Sequence, residues 1–358
     1  MKQTPVILSL LHQDAVPAST TRMFRDQSIL RWTLARISQC DAVAKVAVLC
    51  WANQFPALRG FEDVIPVPRL DMPSMRAICA SRRWADGWRG GLLSATCFDV
   101  GFHGPSLLAA MKELNADHAI LIDPDSALID PAIVRSLIEH AAGHSEIDYA
   151  FTPAAPGQTA IFLRRALVEK LAQTGTYPGR LLNYHPDVPG RDPIALPACA
   201  PVPTTIARAR ERFVLDSRRQ IDLFERATHE LNGQLIKSSA EELLRLVRSR
   251  AGELDFPRDV TLEINTTRHT RPIYSPLRYR QIGRPDMSLE MAKQIFSQLG
   301  RCDDVRLTIS GIGDPLLHPQ FCEFLRAAAD EGIDAIHVET DLLASLDEKR
   351  AASPFSIL

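Results

Sequence analysis

No glycine precedes Gly60 in this chain. Any loop ahead of it that must turn backbone amides inward around an anion would need positive φ from residues less suited to it. Seven cysteines are spread along the sequence without a single C-x-x-C pair. That spacing argues against a disulfide framework or a structural zinc site and for a reducing, cytoplasmic setting in which the cysteines act as small hydrophobes. Charge of one sign is also lacking. With a net charge of -2 and a pI near 6.6, the chain carries no electrostatic footprint for nucleic acid. Long apolar runs are absent as well: Val6 to Leu11 is broken by His12, Gln13 and Asp14, so it is neither a signal peptide nor a membrane span. No internal repeat or low-complexity segment stands out. What is present is 358 residues at 46% hydrophobic content, enough for about two globular domains with cores of their own.

The stretch from Ala119 to Pro131, A-I-L-I-D-P-D-S-A-L-I-D-P, organises the rest. Ala119 to Ile122 reads as a parallel strand buried on both faces, ending in Asp123 and Asp125. In an open α/β sheet ligands bind at the carboxyl ends of strands. Two acids two residues apart on extended chain point the same way, as a hard divalent cation requires. Asp125 is expected at a solvent-accessible strand end. The same D-P-D also fits plain turn and cap residues. Asp130 and Pro131 then open a helix to about Ala142.

Around this stretch the pattern is βα throughout. Strands are expected at Pro5 to Leu11, Val43 to Cys50, Val64 to Val67, Tyr149 to Thr152 and Phe213 to Leu215, with helices near Ser28 to Gln39, Arg76 to Trp88, Pro105 to Leu114, Arg164 to Gln173 and Ser217 to Leu231. The glycine-rich stretch from Gly90, with Phe98, Asp99 and His103, fits either a ligand-lining loop or a surface connection. Tyr177 to Pro203 is a proline-dense loop of the kind that forms lids. Ser238-x-x-Glu241 reads as a capping box for a linking helix. Beyond it lies a second series: strand Val260 to Ile264, helix Ser288 to Leu299, strand Val305 to Ile309, helix Pro319 to Asp330 and strand Ala335 to Val338.

Two resemblances follow from quoted residues. Asp125-Ser-Ala-Leu-Ile-Asp-Pro131 resembles the G-D-x-P-L-x-x-P segment of the cytidylyltransferases, and Leu215-Asp216-Ser217 followed by Asp222-Leu223 resembles their L-D-T-x-x-D-L segment. The resemblance implies an open, mixed, mostly parallel sheet of the nucleotide-sugar transferase type (GT-A-like). It also implies Mg2+ held by Asp125 and Asp216, with Asp123 as an additional candidate ligand. That family's phosphate loop is rich in glycine and basic residues, whereas His12 to Arg25 has no glycine. Arg22 and Arg25 are then the cations of that loop left to meet a phosphate.

Further on, Thr308-Ile-Ser-Gly311-Ile-Gly313-Asp314-Pro315-Leu-Leu-His318-Pro319 resembles the G-G-E-P-L-L-H-P segment of radical S-adenosylmethionine (SAM) barrels. Gly283-Arg-Pro-Asp-Met-Ser288 and Val338-Glu-Thr-Asp-Leu-Leu343 fit the same family in order. The cluster-binding C-x-x-x-C-x-x-C is missing: Thr267 to Pro276 has no cysteine, and His269 does not replace three sulfurs. No [4Fe-4S] cluster is expected, and Gly311, Gly313 and Asp314 would be the vestige of a SAM site whose SAM binding and cleavage are not carried over.

The reading is a cytidylyltransferase-like domain over 1–235, a linking helix over 236–256 and a half-length radical SAM-like (β/α) domain over 257–358. The expected activity is metal-dependent nucleotidyl transfer to a sugar or sugar-like acid, with no nucleic acid or membrane as partner. The competing reading is a non-catalytic binding or scaffold protein built from two degenerate enzyme folds. Three βα-type strands cannot close a barrel, so the edge of the second sheet is expected to be covered by self-association or by docking on the first domain.

Overall fold

The computed structural model describes residues 4–70, 78–79, 81–90, 94–184, 186–250, 256–270, 283–333 and 335–343. The chain divides into two compact units, one formed by Met1–Asp216 with Gln220–Glu253, the other by Ser217–Arg219 with Leu254–Leu358. Of the helix expected at Arg76 to Trp88, helical backbone is seen at 78–79 and 81–82 and the chain then turns, so the helix does not reach Trp88; residues 76, 77 and 80, and Tyr274 in the cysteine-free stretch, lie outside the described residues.

In the first unit, β1 (Thr4–Ser9) is followed by a two-stranded hairpin of β2 (Met23–Phe24) and β3 (Gln27–Ser28), then by β4 (Val43–Trp51), β5 (Val64–Val67), β6 (His118–Ile122), β7 (Tyr149–Phe151) and β8 (Ile161–Arg164). The main sheet runs β5-β4-β1-β6-β8-β7. β5, β4, β1 and β6 are parallel neighbours, and β8 runs antiparallel to both β6 and β7. Alternation along β1 explains why the sheet is buried on both sides. Ile7 and Leu11 enter the layer with the helices Gly104–Glu113 and Arg165–Thr174. Val6, Leu8 and Leu10 enter the opposite layer with the helices Ile29–Ile37 and Pro131–Gly143. Each such side chain contributes about 1.5–3 kcal/mol by leaving water.

The strand order has a functional consequence. From β1 the chain moves outward to β4 and β5, then returns to place β6 on the other side of β1. The crevice between the carboxyl ends of β1 and β6 is therefore a topological switch point, where open α/β sheets bind ligands.

Three local expectations are revised. Phe213 to Leu215 is extended but joins no sheet; it is docked by Phe213 N–H on the Pro156 carbonyl (2.7 Å) and Leu215 N–H on the Asp125 carbonyl (2.9 Å). Three residues paired with loop rather than strand backbone have no ladder to extend. The capping serine is Ser239, not Ser238: its Oγ accepts from Glu242 N–H at 3.2 Å and starts the helix Ala240–Ser249. That helix packs Leu243, Leu244 and Val247 into a third cluster of the first unit with Phe24, Trp32, Phe213 and Phe224. Finally, Ile161–Arg164, where the sequence pattern marks no strand, is one, because its antiparallel partners β6 and β7 lie on both sides of it.

The second unit has a three-stranded parallel sheet, β11-β10-β9, of β9 (Asp259–Leu262), β10 (Arg306–Ile309) and β11 (Ala335–Val338). Leu307 and Ile309 face a core with Phe296 and Phe324 of the helices Leu289–Leu299 and Phe321–Asp330, while Arg306 and Thr308 alternate to the other side.

Candidate functional site

At the switch point β1 continues through Leu10 and Leu11 to His12, and β6 ends in Asp123 and Asp125. Among the described residues, ligand atoms of His12, Asp123 and Asp125 all lie within 4.8 Å of one another. The backbone folds the acid loop inward: Asp125 N–H donates to Asp123 Oδ1 at 2.9 Å, and Ser126 N–H to the Asp123 carbonyl at 3.0 Å. Asp125 is not on an open rim, as the sequence suggests. It is only 6% exposed, because the docked segment through Leu215 covers it. Its Oδ2 accepts from Gln13 Nε2 at 3.2 Å, whereas Oδ1 is buried without a hydrogen-bond partner.

The loop that lacks glycine is held by side chains instead. Gln54, fully buried, donates from Nε2 to the carbonyls of Leu10, Gln13 and Asp14 (2.9, 2.8 and 3.0 Å). Gln13 Oε1 accepts from Ser19 N–H and Oγ–H at 3.1 and 3.0 Å, which aims its amide at Asp125. Gly101, at φ +69°, closes over this loop. A Cβ there would stand 2.8 Å from the Ser9 carbonyl oxygen and 3.0 Å from His12 Nδ1, so only glycine lets this segment pack against the His12 ring.

Burial and like charge both act on the acids of this cluster. Burial, then the neighbouring Asp123 and Asp216, pushes the Asp125 carboxyl well above its ordinary range, with Arg22 and Arg83 opposing. Asp123 is raised as well, first by burial and then by Asp216. Burial pushes the His12 imidazole down to about 4, so the ring is neutral at neutral pH and can offer a lone pair.

The residues singled out from the sequence fall into three places. Asp123 and Asp125 come together with His12. Asp216 stands close enough to raise both acids, with Oδ2 paired to Arg212 Nη2 at 2.6 Å and Oδ1 buried without a partner. Arg22 donates to the Asp216 carbonyl. Arg25, at φ +55° in the β2–β3 turn, is directed away from this group: its N–H meets Glu225 Oε1 at 2.7 Å and its guanidinium meets Thr228. Gly311, Gly313 and Asp314 lie in the second unit. There Asp314 Oδ1 accepts from Leu316 N–H and Thr340 Oγ–H, and Oδ2 from Asp341 N–H. Glu263 and Asn265 side chains press on Gly311 and Gly313, so that a Cβ at either would be 2.3 or 2.0 Å from a side-chain oxygen. The carboxylate is thus hydrogen-bonded within this unit and the two glycines pack against its side chains.

Sequence reasoning missed His12, Gln13, Arg83 and Arg212. His12 breaks an apolar run, which is a signal, but only the β1–β6 pairing brings it to the acids. Asp99 and His103, weighed as loop-lining residues, border a separate cavity of about 230 Å3 with Phe102, Leu171 and Tyr177. Asp99 accepts from Thr96 and Gly179 backbone N–H groups (2.6 and 2.8 Å), and burial still pushes it up to about 6.

No helix among the described residues is long and apolar enough to cross a membrane. No family model and no curated protein sequence matches the chain. Solved structures do. A cytidylyltransferase from Leptospira borgpetersenii serovar Hardjo-bovis superposes with a TM-score of 0.50 at 16% identity, covering 70% of this chain and 96% of that one. A CMP:2-keto-3-deoxy-manno-octonic acid synthetase complexed with CTP gives a TM-score of 0.34 at 13% identity, covering 53% of this chain and 82% of that one. The second overlap is loose. The first shows that this chain shares the α/β fold of a cytidylyltransferase, with its mostly parallel sheet.

Proposed function

We propose that the first unit is a metal-dependent nucleotidyltransferase acting on a nucleoside triphosphate and a sugar or sugar-like acid. The observation that carries this reading is the Asp123–Asp125 pair at the switch point, Asp123 half-buried and Asp125 buried with its Oδ1 unpartnered. Crowded buried carboxylates are costly unless they share a cation, so the donor set fits a divalent ion such as Mg2+. A bound ion would neutralise phosphate charge and orient the attacking oxygen.

The chain's own groups hold the reactants in place. Asp123, Asp125 and Asp216 would hold the ion, with Arg212 fixing Asp216 and Arg22, which donates to the Asp216 carbonyl, as a partner for phosphate. An acceptor hydroxyl oxygen bonds to the α-phosphorus, the α–β phosphoanhydride bond breaks, and pyrophosphate leaves with its electron pair while the hydroxyl proton passes to solvent. Positioning and charge neutralisation suffice for such a step. The solved neighbour is a cytidylyltransferase, so CTP is the first donor to try. The test is calorimetry and pyrophosphate release with CTP, UTP, ATP and GTP, a panel of sugar acids and a divalent cation. Cation-dependent heat and release, both lost in Asp125→Ala, are expected. No heat with any nucleotide ends this reading.

One observation favours a binding protein without turnover: the loop after β1 has no glycine to turn its N–H groups toward a phosphate, and its Arg25 engages Thr228. Nucleotide heat without pyrophosphate release would select it. For the second unit, we take the parallel β9, β10 and β11 with their two helices as a cluster-less, half-length radical SAM-like domain; a stoichiometric iron-sulfur absorbance after anaerobic reconstitution would overturn that.

A further inference from the structure

We propose that His12 makes the acidic site a centre for a nitrogen-accepting first-row transition ion, of the Mn2+, Co2+ or Zn2+ class, in preference to Mg2+. This rests on reading the acids as a metal site, not on nucleotidyl transfer itself. Three donors just beyond the carboxyl ends of the neighbouring parallel strands β1 and β6, one imidazole nitrogen and two carboxylates, lie within 4.8 Å of one another. That spacing suits ligands sharing one ion through bonds of about 2.0–2.2 Å. The independent sign of a ligand is Asp125, a side chain 6% exposed whose Oδ1 has no partner.

The donor types decide the ion. Mg2+ prefers oxygen, keeps several waters and gains little from imidazole, whereas affinity for a mixed nitrogen and oxygen site rises along the first transition row. The surroundings fix the donors as an outer shell would. Gln13 Nε2 holds Asp125 Oδ2 at 3.2 Å, Asp125 N–H holds Asp123 Oδ1 at 2.9 Å, and the close approach of Gly101 sets the His12 ring. These three donors, even with Asp216 beside them as a fourth, leave positions open on a six-coordinate ion for water or a phosphate oxygen.

The test uses the full-length protein stripped of metal. Titration with Co2+, Mn2+ and Mg2+ is expected to show Co2+ binding at least ~100-fold tighter than Mg2+, with Mn2+ between them. His12→Gln keeps an oxygen donor and removes the nitrogen, so it should shrink the Co2+ to Mg2+ ratio at least ~10-fold, with folding checked by circular dichroism. In the Co2+-loaded unmutated protein, a hyperfine-shifted, solvent-exchangeable imidazole N–H resonance should appear, so the proposal does not depend on how the variant folds. Mg2+ binding as tightly as Co2+, an unchanged ratio in folded His12→Gln, or absence of that resonance overturns it. Co2+ bound through His12 without nucleotidyl transfer keeps this inference and sinks the transferase reading. Transfer supported by Mg2+ with no preference for Co2+ does the reverse.

Discussion

Removing one charge from the acid group should stabilise the metal-free protein. Burial and then Asp216 raise the proton affinity of Asp123, and burial, Asp123 and Asp216 raise that of Asp125, so each ionised neighbour is a cost to folding. Asp125→Asn is expected to raise the metal-free melting temperature by a few degrees, a gain of about 1 kcal/mol, and to abolish any further rise on adding cation. A lower melting temperature without metal would show that Asp125 is held by attractions rather than strained by repulsion. Away from this site, Asp99 makes a pH prediction whose sign is opposite to that of most paired acids. Its carboxyl is pushed up to about 6, above an unfolded value of ~3.9. On acidification the folded state takes the proton first, so stability from this group is gained as pH falls from about 6 toward ~4. Urea melts across that window should show the stability of the native protein growing relative to Asp99→Asn; a flat difference would refute the shift. Cys97, with its thiol pushed up to about 12 by burial, behaves as the small hydrophobe its spacing implies.

Among elements, the segment after β6 is held by one residue with two helices to cap. Asp130 Oδ1 accepts from Ala132 N–H (2.8 Å) at the start of the helix Pro131–Gly143, and Oδ2 from Ala240 N–H (2.7 Å) at the start of the helix Ala240–Ser249. Asp130→Ala should therefore cost about 2–4 kcal/mol, twice a typical cap, measured by denaturant unfolding; a loss near that of a single cap would mean the second bond is idle. The first cap is legible in Asp130-Pro131, whereas the second comes from a residue far along the chain. Beside it, Arg36, fully buried, donates to the carbonyls of Ile129, Leu235, Leu128 and Ser238. In sequence that arginine looks like a helix-surface cation. Gly157, at φ +89°, lets Phe213 approach so closely that a Cβ would lie 2.3 Å from its carbonyl carbon. Gly157→Ala should cost about 2–4 kcal/mol through backbone strain and clash, and should also displace Asp216, seen as weaker cation binding in whatever fraction remains folded. Unchanged stability would contradict the close packing.

At the scale of the whole molecule, the second sheet leaves β9 and β11 with one strand neighbour each among the described residues. Parallel strands are normally buried on both faces and edges invite pairing, so self-association is expected: light scattering at micromolar concentration should give more than one chain per particle, and a strictly monomeric protein whose amides in β9 and β11 exchange freely would refute it. The sequence by itself determined most of the strands and helices. Short runs rich in apolar residues set Val64–Val67, between Asp63 and Pro68, and Ala335–Val338, between Asp334 and Glu339, to the residue, and the match of Asp125 to Pro131 with the cytidylyltransferase pattern anticipated the fold shared with the Leptospira enzyme. Those signals are local, because periodicity and capping act within a few residues. Only tertiary structure decided that Phe213 to Leu215 is a docked segment rather than a strand, that Asp125 is buried, and that His12 stands with Asp123 and Asp125. Burial and proximity come from the pairing of β1 with β6 and from the loop laid over them, and no residue in either strand encodes the identity of its neighbour.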